Sequence, residues 1–244
     1  LHSYTQSTFH TMGYELDLPL NSLFVLIEQR KWKDIAKAMD LFPGMASEVF
    51  TIPGFYDAKT SSKVTALHMA CKHQAPAAII KLLHKEHPRQ IVMVDSRYQR
   101  TALHIAVMNG VEPKSIQVLL KYNPEAAQVP DALGRLPLHY ACRGGNNNDS
   151  TSKIATKKNV ESLATVHPQA ARIADASGFL PIHVACRSNA SASIIRLLIR
   201  LAPETVVAKT KKGSSVVSCA TLGKCSEDVM KLLETARVSQ QEQQ

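Results

Sequence analysis

Apolar positions fall into short blocks that recur along the chain. The blocks TALHMAC at Thr65, TALHIAV at Thr101, LPLHYAC at Leu136 and LPIHVAC at Leu180 share one apolar pattern. A worn copy, SVVSCAT, begins at Ser215, and NSLFVLI at Asn21 keeps the pattern with Phe24 where the others carry His. Start-to-start spacings are 44, 36, 35, 44 and 35 residues, which gives a base period of about 35 with two insertions of about nine. Each block predicts a short helix, and about 14 residues past the His position the pairs Leu82–Leu83, Leu119–Leu120, Leu197–Leu198 and Leu232–Leu233 predict a second one. Pro43, Pro88, Pro124, Pro168 and Pro203 then stop that second helix, because proline has no N–H to continue it.

The residues around each block fit a turn that leads straight into a helix. Thr65 and Thr101 are suited to N-capping, the hydroxyl taking a backbone N–H that the helix leaves unpaired. Pro137 and Pro181 stand at the first helical position, where a missing donor is harmless. Gly134, Gly178 and Gly213 stand two residues before the block, where a turn needs positive φ, while Lys63 and Gln99 take that place in the earlier units and predict irregular turns. Asp131 and Asp175 open their turns, where a carboxylate accepts backbone N–H bonds.

A period near 33 residues carrying a T-P-L-H-x-A block resembles the ankyrin repeat family. Four near-matches in register, each followed by its second helix, carry the likeness over residues 21–236, with degenerate first and last units. The resemblance implies an all-α solenoid of about six repeats, with β-hairpin turns and stacked antiparallel helix pairs, in units starting near 21, 65, 101, 136, 180 and 215. It also implies that His68, His104, His139 and His183 bond locally and to the backbone of the neighbouring unit. One departure is that Asn123-Pro124, His167-Pro168 and Ala202-Pro203 stand where the family usually ends its second helix with Gly-Ala. Residues 1–20 are expected to be either a flexible leader or a strap along the first unit, and 237–244 a disordered tail.

Composition narrows the chemistry. With aromatics at 5% and a single Trp, the core must be aliphatic and alanine-rich, which suits packed helices. No run of 18 apolar residues is present, so no transmembrane helix is expected. Five cysteines without paired spacing disfavour disulfide or zinc frameworks and favour a reducing, intracellular setting, cytoplasmic or nuclear. Cys71, Cys142 and Cys186 share one repeat position, and stacked helices stand too far apart for those thiols to bond or share a metal, so they read as core fillers. His84 and His87 lie three apart near a helix end and read as a solvated terminus. No catalytic partner recurs with the repeated His, and no phosphate loop or nucleophile elbow is present. We therefore expect no enzyme, no cofactor and no metal site.

An open array is suited to holding another macromolecule. The family resemblance implies contact through hairpin tips and the exposed side of each first helix. On this chain the tips are Arg97, Tyr98, Arg100, Leu133, Arg135, Ser177, Phe179, Lys211 and Lys212, and the helix ends are Lys72, His73, Met108, Asn109, Arg143 and Arg187. A formal net charge of +9 predicts a protein partner with an acidic surface. Two other readings stand beside this one: a regulatory portion of a longer enzyme, channel or signalling protein, and a basic surface for nucleic acid or an anionic membrane. Scattered Lys and Arg and few aromatics disfavour nucleic acid. The two insertions are expected to lie in connections. The stretch from Gly144 to Ser152 is polar, and FTIPGFYDAKTSSK either folds over the array or contacts a partner.

Overall fold

The computed structural model describes residues 6–11, 14–19, 23–57, 59–143 and 157–242. The polar insertion from Gly144 to Ser152 therefore lies outside the described residues. Within the leader, the backbone forms an antiparallel hairpin of β1 (Gln6–Thr11) and β2 (Tyr14–Pro19), with Phe9 opposite Leu16.

Among the described residues six helix pairs follow, each a short helix and a longer one: α1 (Leu23–Glu28) with α2 (Trp32–Leu41), α3 (Ala66–Lys72) with α4 (Ala77–Glu86), and α5 (Ala102–Met108) with α6 (Pro113–Tyr122). The remaining pairs are α7 (Pro137–Ala141) with α8 (Lys157–Val166), α9 (Pro181–Arg187) with α10 (Ala192–Leu201), and α11 (Val216–Leu222) with α12 (Glu227–Gln241). After each of the first five pairs, a 3-10 turn opens on Pro43, Pro88, Pro124, Pro168 or Pro203. Proline thus ends the second helix and starts the turn at a position where its absent N–H goes unmissed.

First helices pack in series from α1 to α11, and second helices pack in a parallel series from α2 to α12. The close approach of the first helices follows from Ala70, Ala106, Ala141, Ala185 and Ala220, which recur at one repeat position and are fully buried. Beside them Leu67, Leu103, Leu138 and Ile182 fill the space between units, and Leu83, Leu119, Leu163, Leu198 and Leu233 do the same for the second row. No unit has an inner face of its own. The core is one continuous strip, made only by stacking. The sole tryptophan, Trp32, opens α2 in the first unit and packs partly buried against that strip.

The first insertion folds back. Strands β3 (Val49–Pro53) and β4 (Ser61–Thr65) pair antiparallel, Phe50 opposite Val64. Alternation puts Phe50, Ile52 and Val64 inward, while Val49, Thr51 and Lys63 face out. Phe50 meets Phe24 of α1 with ring centroids 5.5 Å apart.

Two expectations need correction. Helix α12 runs to Gln241, so residues 237–241 are helical rather than a disordered tail; Arg237 pairs with Glu234 three residues back and the Ser239 hydroxyl donates to the carbonyl of Thr235 four back, supports that a polar helix end can use. His84 is not a solvated terminus. Its ring stacks on Tyr122, the last residue of the next second helix, centroids 4.0 Å apart, because α4 and α6 pack side by side.

Candidate partner-binding face

Each hairpin between units is built around an aspartate. The Asp131 carboxylate accepts the N–H groups of Leu133 and Arg135, each at 2.9 Å, and Asp175 accepts those of Ser177 and Phe179 at the same distance. Asp95 does likewise for Arg97, Tyr98 and Arg100 at 2.7–2.8 Å. All three are buried. Burial by itself would raise the carboxyl pKa, but the Tyr140 hydroxyl at Asp131, the Tyr56 hydroxyl at Asp95 and these backbone bonds outweigh it and hold both carboxyls below the ordinary value. Gly134, Gly178 and Gly213 close the turns with φ of +71°, +83° and +80°.

Successive hairpins are bonded into a ladder. Ser96 N–H donates to Lys63 O, Ala132 to Tyr98, Ala176 to Leu133 and Lys211 to Ser177, at 2.8–3.2 Å. Side chains repeat the connection one layer deeper. Arg100 Nε donates to Asp131 at 3.2 Å, and Arg135 Nε donates to Asp175 at 3.1 Å, so each arginine ties its own hairpin to the next. At the last step both members change together, Phe179 replacing the arginine and Thr210 the aspartate.

The repeated histidines form a third set of ties. In each, Nδ1 accepts the N–H of the residue before the helix (Thr65, Thr101, Leu136, Leu180). Nε2 then faces a carbonyl of the following hairpin: Arg100 at 2.9 Å, Arg135 at 3.1 Å, Phe179 at 3.0 Å and Ala208 at 3.2 Å. A carbonyl requires a donor, so the proton sits on Nε2 and the ring is neutral. Burial lowers the pKa of all four against the raising effect of the carbonyl, and His104 falls to about 4.

The residues expected to meet a partner divide into two groups. Toward the N-terminal end most are already engaged. Arg100 is 7% exposed and is corrected from a free contact to an internal one. It pairs with Asp131, donates to the Tyr140 hydroxyl at 2.8 Å, and lies 4.4–5.1 Å from the ring centroids of Tyr56, Tyr98 and Tyr140. Tyr98 packs edge-on against Tyr56 of the first insertion, whose hydroxyl donates to Asp95 at 2.8 Å. Lys72 Nζ donates to Phe55 O and lies 4.4 Å from the Phe55 ring centroid. His73 is half-buried, and burial, with Lys72 and Arg30 nearby, lowers its pKa to about 4. Asn109 bonds Ile105 O and receives Gln74 Nε2 at its own carbonyl, while Met108 packs against the core. Arg97 is exposed and lies over Tyr98.

Toward the C-terminal end the face is open. Leu133 is 39% exposed, and Arg143, Ser177, Arg187, Lys211 and Lys212 are exposed. Among the described residues none of these four cations has an ion pair, though Arg187 lies 5.7 Å from the centroid of the half-buried Phe179. Arg135 is partly exposed but committed to Asp175.

Asp95 and Tyr140 do not stand out in the sequence, and Tyr56 does so only as one of the first insertion's aromatic residues. Asp95 precedes its N-cap by six residues, whereas Asp131 and Asp175 precede theirs by five, so the longer turn hides the correspondence. Gln99 in that turn adopts φ +53° where the later hairpins use glycine.

Hairpin, helix and helix, repeated and locked to the next unit through an imidazole, define an array of ankyrin repeats. Comparison agrees over part of the chain: residues 52–127 match the family model of ankyrin repeats in three copies. The dog protein inversin (Canis lupus familiaris) is 31% identical over 83 residues, which is 34% of this chain and 7% of inversin. Human inversin (Homo sapiens) is 30% identical over 83 residues, 34% of this chain and 8% of the relative. The chain therefore spans less than a tenth of these relatives. Among solved structures, one chain of a complex between a predatory endopeptidase from Bdellovibrio bacteriovorus and an immunity protein superposes with a TM-score of 0.65 at 19% identity, covering 88% of this chain and 97% of that one. At that identity the likeness concerns the fold alone. Among the described residues no helix is long and apolar enough to cross a membrane.

Proposed function

We propose that the chain is a non-enzymatic scaffold that binds an acidic protein through its hairpin tips and first-helix faces. Ankyrin repeats are a protein–protein interaction module, and the module presents a face rather than a cleft. One observation carries the charge of the partner: the hairpin aspartates Asp95, Asp131 and Asp175 are buried at 0–5% exposure, while Arg97, Arg143, Arg187, Lys211 and Lys212 stand exposed. The hairpins thus hide their aspartates, while these five bases stay displayed. The same aspartates are consumed in holding the turns, so they cannot serve as acids or bases toward a substrate. All five thiols are free, and burial raises the pKa of each, which suits a reducing, intracellular setting.

The test uses the full chain as bait in native extract, followed by kinetics with each purified partner. Association should slow at least about tenfold between low salt and about 1 M, where screening shortens to about 3 Å. Lys211→Glu with Lys212→Glu should slow it similarly at low salt. An association rate indifferent to both salt and charge reversal would refute the reading.

A further inference from the structure

We infer that the chain has a second docking site, a groove between the second helices α6 and α8, and that its occupant is an acidic amphipathic helix of a partner protein. The groove holds about 610 Å³ and is lined by Gln117, Leu120 and Lys121 of α6 and by residues of α8 from Lys158 to Val166. None of these belongs to a hairpin or a first helix, so the site is separate from the face proposed above.

The groove has a cause in the sequence. Just before the buried leucine of a second helix stands Leu82, Val118, Leu197 or Leu232, and all four lie in or against the core. In α8 that residue is Ser162, which lines the groove, so a side chain that the other units supply is missing there. Leu120, 5% exposed, lies at the bottom, and Val166, 37% exposed, near the rim. A leucine-sized side chain brought from outside replaces what Ser162 omits.

The charges and their spacing select the rest of the occupant. Helix α6 contains no acidic residue, and Glu161 of α8 is paired with Lys157 at 3.2 Å. Lys121 and Lys158 have no ion pair among the described residues. Ser115 donates to Ala75 O at 3.2 Å and Asn159 to Val111 O at 3.4 Å, the same contact one unit on, so α8 lies beside α6 in the repeat register. Lys158 is then the counterpart of Lys114, seven residues before Lys121, which puts Lys158 and Lys121 two helical turns, about 10.5 Å, apart along the groove. A helix laid in the groove matches that interval with its i and i+7 residues, and its i+3 and i+4 residues fall between them on the same face. A β-strand covers the distance in about three residues and turns i and i+3 to opposite faces. The partner segment is therefore a helix with Glu or Asp at i and i+7 and a leucine-sized residue between, opposite Ser162.

The test is fluorescence anisotropy at about 50 mM salt with two labelled, alanine-rich helical peptides. One carries Glu at i and i+7 with Leu at i+3 and i+4; the other has its second Glu moved to i+5, on the far side of the helix. The first should bind the full chain at least about fivefold more tightly. Ser162→Leu, which restores the residue type of the other units, should weaken it at least about tenfold without lowering the urea midpoint, and Lys121→Glu should weaken it at least about fivefold. Lys211→Glu with Lys212→Glu, on the hairpin face, should alter it by less than about twofold. Should Ser162→Leu lower the midpoint, Lys121→Glu decides alone. No binding of the first peptide, equal affinity for the two, unchanged binding to folded Ser162→Leu or to Lys121→Glu, or as large a loss from the hairpin pair would overturn the inference. The kinetics with captured partners decide the hairpin reading separately.

Discussion

At the scale of single residues, the four stacked histidines make stability depend on protonation. Each is held neutral by burial, so its folded pKa lies below the unfolded value of about 6.5. The unfolded chain then binds more protons below pH 6.5, and the stabilisation is complete above that pH. For His104 the loss runs from about pH 6.5 down to about 4. The urea midpoint should fall steeply across this window, and His104→Ala should cost about 1–3 kcal/mol at neutral pH by leaving the Arg135 carbonyl unpaired. A midpoint flat from pH 7 to 4 would contradict the assignment. Arg100 gives a second prediction. Its side chain and that of Asp131 are 8% and 0% exposed, so Arg100→Ala strands a buried carboxylate and should cost about 3 kcal/mol or more in urea denaturation. The histidine role was legible in advance because the family motif names it. The Arg100 role was not. A charged residue at a turn looks solvent-facing until the first insertion supplies Tyr56 and the following unit Asp131 and Tyr140, from 44, 31 and 40 residues away.

At the scale of the element, the hairpins were legible where glycine and aspartate stand at their usual offsets, and obscure where they do not. Gly178 has φ +83°, and a Cβ there would sit 2.6 Å from the Lys211 N; Gly134 has φ +71° and would crowd the Ala176 N at 2.9 Å. Gly178→Ala should therefore destabilise by about 1–2 kcal/mol or more from backbone strain and should also loosen the bond to the next hairpin. Conversely, Gln99→Gly relieves φ +53° at an exposed site and should stabilise by roughly 0.5–1 kcal/mol. Thermal unfolding of the two variants should shift in opposite directions. The first insertion could not be placed from sequence because its aromatic residues suit an internal contact and an interface equally. Its alternation of Phe50 and Ile52 against Val49 and Thr51 was present all along, but it takes the Phe24 ring to show which side is covered.

At the scale of the whole molecule, the period of about 35 residues fixed the order and pairing of the helices, since units that cannot bury a face alone must stack. What it left open was which bases remain free. Equivalent positions in a repeat differ in their neighbours, and Lys72 is engaged by a loop that the other units lack. Stacking also predicts graded protection. Amide exchange should be slowest in α5, α6 and α9 and faster in α12, which has a neighbour on one side only. Uniform protection along the array would contradict a nearest-neighbour core.

The lone indole has a practical corollary. Trp32 sits in the opening module, so intrinsic emission excited at long wavelength follows that module and is silent about the other five. If melting proceeds from one extremity, the emission trace and the far-ultraviolet dichroism trace will part company, and their separation measures how tightly the outermost module is coupled to the rest.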